Sequence, residues 1–201
     1  MKAFGSQARS CLLWWPRCGV LARHDDGHIR AVAALSLPAT RVLEDMALIR
    51  SFDSEVRVDD GQFFLLDSST TDLPQPPITP TQWLHAGPGW IHFRSGAQDH
   101  YASVRFELWQ DLPPRTTEPW ELVDTVEVVS SSGIVQLWAP TIGPPDGRWE
   151  LGHPGRYGLR AQCRGRQAAA QALNTAVTTD NPLPRGVEQY RLQFWSLEPP
   201  S

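Results

Sequence analysis

The residues best suited to chemistry in this chain are arginines, and they are concentrated near the C-terminus. Arg156, Arg160, Arg164 and Arg166 fall within one short run, and Arg191 follows in a later one. A guanidinium presents five donors in a planar fork and stays charged, which suits recognition of carboxylate or phosphate groups and not proton transfer. The spacing therefore predicts a binding surface.

Two tryptophans complete this candidate surface. Trp109 and Trp195 occupy polar positions of alternating runs, so we expect both to point towards solvent. Tryptophan and arginine are enriched at the energetic centres of protein interfaces. The alternative is that Glu107 and Glu188 neutralise the arginines across the sheet, in which case these strands are scaffold. The candidate binding residues are Arg160, Arg164, Arg191, Trp195 and Trp109.

Catalytic and metal-binding patterns are absent from the sequence. The one close histidine pair, His24 and His28, lies in a segment with no recognisable scaffold, and Asp99-His100 has no nucleophile beside it. The sequence contains neither a Gly-x-Ser-x-Gly elbow nor a phosphate-binding glycine loop. We therefore expect a non-enzyme with no catalytic residue, no metal and no cofactor. A hydrolase site assembled from distant residues stays open as an alternative.

Charge and cysteine content narrow the class of partner. The net charge is −4, whereas a protein that grips nucleic acid normally needs a basic face. We therefore expect no nucleic acid as a partner, and the acidic charge is compatible with a basic partner protein. The three cysteines lack metal-ligand spacing and fit a reducing cytoplasm, and no apolar run is long enough to span a membrane. The expectation is a cytoplasmic protein without membrane contact, its oligomeric state left open.

The elements that would position the arginines are strands. Residues 155–166 and 187–195 alternate strictly between apolar and polar positions, which is typical of strands with one buried and one wet face. The alternation predicts one set of core-facing residues: Tyr157, Leu159, Ala161, Cys163, Tyr190, Leu192 and Phe194. The arginines then lie on the opposite face.

The rest of the chain also reads as strands separated by turn signals, of which Asp59-Asp60-Gly61 predicts a hairpin-type turn. Eighteen prolines disfavour long helices, and the one helix candidate, residues 167–173, lies in the last crossover. The strands predicted over residues 120–129 and 134–138 are expected to form a hairpin. About eight strands at this spacing predict an all-β fold, an antiparallel β-sandwich. The earlier strands are predicted over residues 55–58, 62–66, 90–94, 103–110, 120–129 and 134–138.

The N-terminal segment differs from the rest. Residues 1–45 show neither clean alternation nor a capped helical pattern, and Met46 directly precedes the first convincing strand. We predict that residues 1–45 are a disordered extension or a mis-annotated start. Residues 46–201 are then the β-sandwich domain.

Two C-terminal motifs resemble those of a group of functionally uncharacterised bacterial proteins, mainly actinobacterial. The first is a Gly-x-Tyr-x-Leu-Arg strand that runs into Arg-Gly-Arg, here residues 155–166. The second is a Glu-x-x-Leu-Gln-x-Trp strand, here residues 188–195 with one extra residue before the leucine. More distantly, the strand layout resembles the competence protein J type of β-sandwich. That resemblance implies an inhibitor of a partner nuclease, so the expected protein partner is a basic nuclease or toxin.

The sequence thus favours a non-enzymatic protein-binding domain, of the immunity or nuclease-inhibitor kind. One alternative is a carbohydrate-binding or small-molecule-binding module that uses exposed tryptophans. The other is the hydrolase with a non-local active site.

Overall fold

A computed structural model describes residues 47–75, 82–145, 147–176 and 182–198. Within these ranges the chain forms ten strands and one helix. The extension expected over residues 1–45 lies outside the described residues, so the domain boundary stays a prediction. No helix in the described ranges is long and apolar enough to cross a membrane.

The ten strands and the helix are numbered in the order in which they follow one another along the chain. Their bounds are β1 (Leu48–Val58), β2 (Gln62–Asp67), β3 (Leu84–Gly87), β4 (Trp90–Arg94), β5 (His100–Trp109), β6 (Leu122–Ser130), β7 (Ile134–Trp138), β8 (Trp149–Glu150), β9 (Gly155–Arg164), α1 (Arg166–Ala176) and β10 (Arg185–Ser196).

The strands form two five-stranded sheets that pack as a β-sandwich, which confirms the predicted fold class. Sheet A has the order β1-β5-β10-β9-β6, and sheet B has the order β3-β4-β2-β7-β8. Two details of the prediction were wrong. The described residues form ten strands, whereas about eight were predicted. The sandwich is not antiparallel throughout, because β10 runs parallel to β5 although it is antiparallel to β9. This parallel pair arises because the last strand is inserted between β5 and β9.

The core lies between the sheets, where the alternation of β9 and β10 places it. The predicted core-facing residues of both strands are all buried, as are Val104 and Phe106 of β5. From sheet B, Phe63 and Phe93 stack with ring centroids 4.7 Å apart, and Phe63 meets the Tyr190 ring edge-on at 4.9 Å. Aromatic pairs at these distances add to the stability gained by burial alone.

The turn between β1 and β2 has the predicted hairpin chemistry. Asp60 and Gly61 both have positive φ, 51° and 71°, as a two-residue type I′ turn requires. Asp59 and Gln62 exchange both backbone hydrogen bonds at 3.1 Å. Beyond that pair the two strands separate, β1 into sheet A and β2 into sheet B.

The predicted hairpin between residues 120–129 and 134–138 was wrong. β6 pairs with β9 in sheet A, whereas β7 pairs with β2 and β8 in sheet B. The physical reason is the buried carboxylate of Asp67, which accepts hydrogen bonds from the Ser130 hydroxyl and from the backbone N–H of Ser132 at 3.1 Å. The connection therefore wraps around Asp67 and carries the chain from one sheet to the other.

Candidate functional site

The outer face of sheet A, the face turned away from the core, carries all five residues predicted from the sequence. Trp109 comes from β5, Arg191 and Trp195 from β10, and Arg160 and Arg164 from β9. The crossover segment, residues 110–121, connects β5 to β6, which lie on opposite sides of β10 and β9 in the sheet. The structure thus brings the predicted residues to one surface.

Glu107 occupies the centre of this face and is almost fully buried. Its carboxylate accepts hydrogen bonds from Arg191 Nε at 2.9 Å, Gln193 Nε2 at 2.8 Å, Trp109 Nε1 at 3.0 Å and Arg105 Nε at 3.1 Å. Burial acts to raise the pKa of Glu107, but the hydrogen bonds from Gln193, Arg191 and Trp109 outweigh it and lower that pKa. Glu107 therefore stays charged and neutralises Arg191, as the scaffold alternative expected.

Arg164 is more accessible than Arg191. Its guanidinium lies over the Trp120 ring, 4.6 Å from the centroid, and its Nε donates to Gln189 Oε1 at 2.9 Å. The exposed carboxylate of Glu118 lies 3.7 Å from Arg164 Nη1. A cation over an indole face is an attractive and directional contact. Arg164 is thus held in place while part of its edge stays in solvent.

Trp195 is on the predicted face but is not exposed, which corrects the expectation that it points into solvent. The residue is only 7% exposed. Its indole lies across Gly158 of β9, where a Cβ atom would overlap the ring. Because the missing side chain of Gly158 leaves room for the ring, Trp195 lies flat on the sheet. Trp109 is half-buried and held by its bond to Glu107.

Arg160 has a different environment from the other arginines. Its Nη1 donates to the carbonyl oxygens of Pro113 and Pro114, both at 3.0 Å, and more weakly to Gln193 Oε1 at 3.5 Å. These acceptors are neutral. Burial lowers the pKa of Arg160, and the positive charges of Arg115 and Arg191 lower it further. Arg160 therefore ties the crossover segment to β9 without a carboxylate partner in the described chain.

Two clefts open on this face and share Glu118 and Trp120. The first, here called the Glu107 cleft, has a volume of about 630 Å³ and is lined among others by Asp53, Arg105, Glu107, Trp109, Arg164 and Arg191. The second, here called the Arg160 pocket, has a volume of about 530 Å³ and is lined among others by Arg115, Glu118, Trp120, Val123, Arg160 and Gln162. Three of the five predicted residues thus line one cleft, and Arg160 lines the other.

A buried polar cluster elsewhere has the residue types of a hydrolase triad but not its geometry. Ser95 Oγ and Glu188 Oε2 both contact the same nitrogen of His100, Nε2, at 3.2 and 3.0 Å. A catalytic histidine needs the acid on one ring nitrogen and the nucleophile on the other. Here Nδ1 of His100 has no hydrogen-bond partner, and His100 and Glu188 are fully buried.

Glu188 instead acts as a structural anchor between elements. Its carboxylate accepts from the Tyr190 hydroxyl at 2.8 Å and faces Arg166 Nη1 at 3.4 Å. It also accepts from the backbone N–H of Gly96 at 3.2 Å. Burial raises the pKa of the neighbouring Cys163 thiol, which makes it unreactive at neutral pH. The cluster joins β10, α1 and the β4–β5 turn, and its His100, Glu188, Cys163 and Tyr190 side chains are buried.

Metal and sugar sites receive no support from the described residues. No group of three or more His, Cys, Asp or Glu side chains in those ranges could hold a metal ion. His85 and His92 are stacked with ring centroids 5.7 Å apart, so their in-plane lone pairs do not converge. None of the seven tryptophans between residues 82 and 198 is fully exposed, whereas a sugar-binding platform needs an open aromatic face.

The sequence reasoning missed several residues of the two clefts. Gln162 lies between Arg160 and Arg164 on the same strand, so the alternation that placed the arginines also gives its face. Arg105 follows from the alternation of β5 in the same way. Arg115 belongs to the irregular crossover segment, where no period indicates which way a side chain points. Trp120 was predicted as the first residue of a strand, but it lies in the same segment because β6 begins at Leu122.

Comparison with known proteins gives a likeness of fold. No protein-family model matches the chain, and no curated protein sequence matches it. The structure is similar to that of ComJ from Bacillus subtilis, described as an inhibitor of the DNA-degrading activity of NucA. The TM-score is 0.52 and the identity 18%, over 75% of this chain and 100% of that chain. The product of crocagin biosynthetic gene J gives a TM-score of 0.46 at 15% identity, with the same coverage of 75% and 100%.

Proposed function

We propose that this domain is a non-enzymatic protein-binding domain that inhibits a nuclease. The observation that carries the proposal is the outer face of sheet A, where fixed arginine and tryptophan side chains line two clefts. Arginine and tryptophan are the residue types that dominate binding energy at protein interfaces. The expected immunity role and cytoplasmic location belong to the same proposal.

The cleft side chains are held in place before any partner arrives. Arg191 and Trp109 are fixed by Glu107, and Arg164 is fixed by Trp120 and Gln189. Ordering a long side chain at an interface costs about 0.5–1.5 kcal/mol, so side chains that are already ordered bind with a smaller entropic penalty. This rigidity supports recognition of a folded protein surface.

Two further observations support a nuclease as the partner. ComJ, which has a similar fold, is described as an inhibitor of a DNA-degrading enzyme. Residues 1–45 hold six of the 18 basic and four of the 22 acidic residues, so residues 46–201 have a net charge of −6. An acidic domain attracts a basic enzyme over long range and accelerates association.

A nuclease assay tests this function directly. The purified chain is added in increasing molar ratio to NucA of Bacillus subtilis and to any nuclease encoded beside its own gene, and plasmid degradation is followed on gels. We expect degradation to stop at about equimolar inhibitor for at least one of these enzymes. Unchanged degradation of both, at micromolar concentrations of the chain, would contradict the proposal.

A charge reversal locates the inhibitory surface. Arg164→Glu places an acid beside Glu118 in the Glu107 cleft and should weaken inhibition at least tenfold. Arg148→Glu is the matched control, because Arg148 is also exposed and precedes β8 in sheet B. If both variants lost inhibition equally, the effect would be one of general charge. That result would contradict the outer face of sheet A as the inhibitory interface.

A further inference from the structure

Two residues that line the Arg160 pocket, Trp120 and Gln162, each have a buried polar atom without a hydrogen-bond partner. Gln162 is 2% exposed, and its Oε1 has no donor. Nε1 of Trp120 is buried and has no acceptor. Both residues line the pocket. A buried donor or acceptor without a partner costs stability, and native proteins leave few of them, so this pair indicates that a ligand supplies the missing bonds.

The same pocket has an uncompensated positive charge. Arg160 bonds only to neutral oxygens through Nη1, which leaves its Nε and Nη2 without an acceptor in the described ranges. Arg115, on the exposed crossover segment, also has no ion-pair partner there. The single acid in the lining is Glu118. Glu118 also faces Arg164 at 3.7 Å, so the two arginines leave an excess of positive charge in the pocket, which suits an anion.

We propose that the Arg160 pocket binds the carboxylate of an acidic residue in an extended segment of a partner protein. The carboxylate would accept from the guanidinium groups of Arg160 and Arg115, a charge-assisted contact of the strong kind. The peptide backbone supplies the two remaining partners, a carbonyl oxygen for Trp120 Nε1 and an N–H for Gln162 Oε1. Every unused group in the pocket then has a partner.

This inference deepens the proposed function, since it names the chemical group by which a partner is recognised. An acidic side chain on the partner is compatible with a basic partner. The net charges of the two proteins attract them over long range, whereas one acidic side chain in the pocket fixes how the partner is positioned. The pocket volume of about 530 Å³ is large enough for a glutamate side chain and its flanking backbone.

A peptide titration tests the site without any partner protein. The full chain labelled with ¹⁵N is titrated with the blocked peptide acetyl-Gly-Glu-Gly-amide, and the indole N–H signal of Trp120, assigned from Trp120→Phe, is followed. We expect this signal to shift in a saturable way. Acetyl-Gly-Gln-Gly-amide has the same shape without the charge and should bind about tenfold more weakly.

Variants then assign the effect to the pocket. Arg160→Gln should weaken binding of the glutamate peptide about tenfold, and Arg115→Gln several-fold. Arg115 donates to no described residue, so its loss leaves the crossover segment attached. Arg156→Gln is the matched control: Arg156 is exposed on the same strand, and it pairs with Glu127 outside the pocket.

The outcomes separate this inference from the proposed function. Equal shifts with the glutamate and glutamine peptides would overturn the carboxylate assignment. Inorganic phosphate that moves the Trp120 signal at lower concentration than the peptide would overturn the peptide source. If the chain inhibits a nuclease but Arg115→Gln and Trp120→Phe inhibit equally well, the pocket inference fails while the function stands. If the glutamate peptide binds as expected but the chain inhibits no nuclease, the pocket inference stands while the proposed function fails.

Discussion

The indole ring of Trp195 lies flat against Gly158, its direct partner on the neighbouring strand, and it fills the space that any other residue at position 158 would need. This contact converts a tryptophan expected in solvent into a buried part of the sheet surface. It therefore separates the five candidate residues into one that is buried in the sheet surface and four that line the two clefts.

The Gly158–Trp195 contact predicts that Gly158→Ala destabilises the domain by about 1–3 kcal/mol, since the new Cβ overlaps the indole. Urea unfolding measures this. The sign of the change in unfolding free energy is diagnostic. In an ordinary strand, replacing a flexible glycine by alanine stabilises the protein. When Trp195→Leu is already present, adding Gly158→Ala should cost much less. Equal stability of the Gly158→Ala variant and the wild type would argue against the contact.

Glu107→Gln should destabilise the domain by about 3 kcal/mol or more, because it leaves the guanidinium of Arg191 without its buried counter-charge. Thermal and urea unfolding give the size of the effect. Asp53→Asn is the control, since that carboxylate also pairs with Arg105 but is largely exposed. It should cost well under about 1 kcal/mol. Similar costs for both would mean that Glu107 is not the anchor of the outer face.

The buried carboxylate of Asp67 predicts a loss of stability in strong acid. Burial acts to raise its pKa, but hydrogen bonds from Ser130, Ser69 and the Ser132 backbone outweigh this and lower the pKa to about 2 from 3.8. Because the folded pKa lies below the unfolded one, the contribution is present above pH 3.8 and disappears as the pH falls towards 2. It amounts to about 2 kcal/mol.

Unfolding of the wild type and Asp67→Asn between pH 6 and pH 2 tests this. The stability difference between the two proteins should shrink below about pH 4. A constant difference over that range would show that the Asp67 charge does not contribute.

His92 predicts a second acid-sensitive step at higher pH. Burial, followed by the charges of His85 and Arg94, lowers the pKa of His92 to about 4 from 6.5. The unfolded chain therefore binds a proton that the folded domain rejects, so stability falls as the pH drops from 6.5 to 4 and is unaffected by His92 below that. The loss is about 3 kcal/mol.

His92→Phe should remove this pH dependence, since Phe64 already stacks against the ring at position 92. Unfolding at pH 7 and pH 4.5 shows whether the variant loses less stability than the wild type. NMR titration of the His92 ring gives the pKa directly. An ordinary value near 6.5 would contradict the burial of a neutral ring.

The sequence patterns predicted the fold well wherever a strand alternates. Tyr157, Leu159 and Leu192 are buried as their period requires, and the turn at Asp60-Gly61 has the predicted backbone. What alternation cannot show is which strands pair. A short connection between β6 and β7 is compatible with a hairpin, but here the connection bonds to the distant Asp67 carboxylate and the two strands lie in different sheets.

Only part of the candidate site could be predicted, because alternation gives the face of a residue but not what covers it. Period-two patterning places Arg160, Arg164 and Arg191 on one face, but it cannot show how much of each side chain other parts of the chain cover. The proline carbonyls over Arg160 and the ring over Arg164 both come from the irregular crossover segment. The burial of Trp195 depends on a glycine in another strand.

The position of β10 in the middle of sheet A has a consequence for synthesis on the ribosome. β5 and β9 are central strands of the sheet. β10 lies between them and pairs with both, yet it is synthesised after them. Until residue 196 has left the exit tunnel, each presents an unpaired edge, and nascent chains with such edges are prone to associate wrongly. Sheet A can therefore close only after β10 has been synthesised, and a chain cut short before residue 185 should be recovered only as aggregate or degraded product.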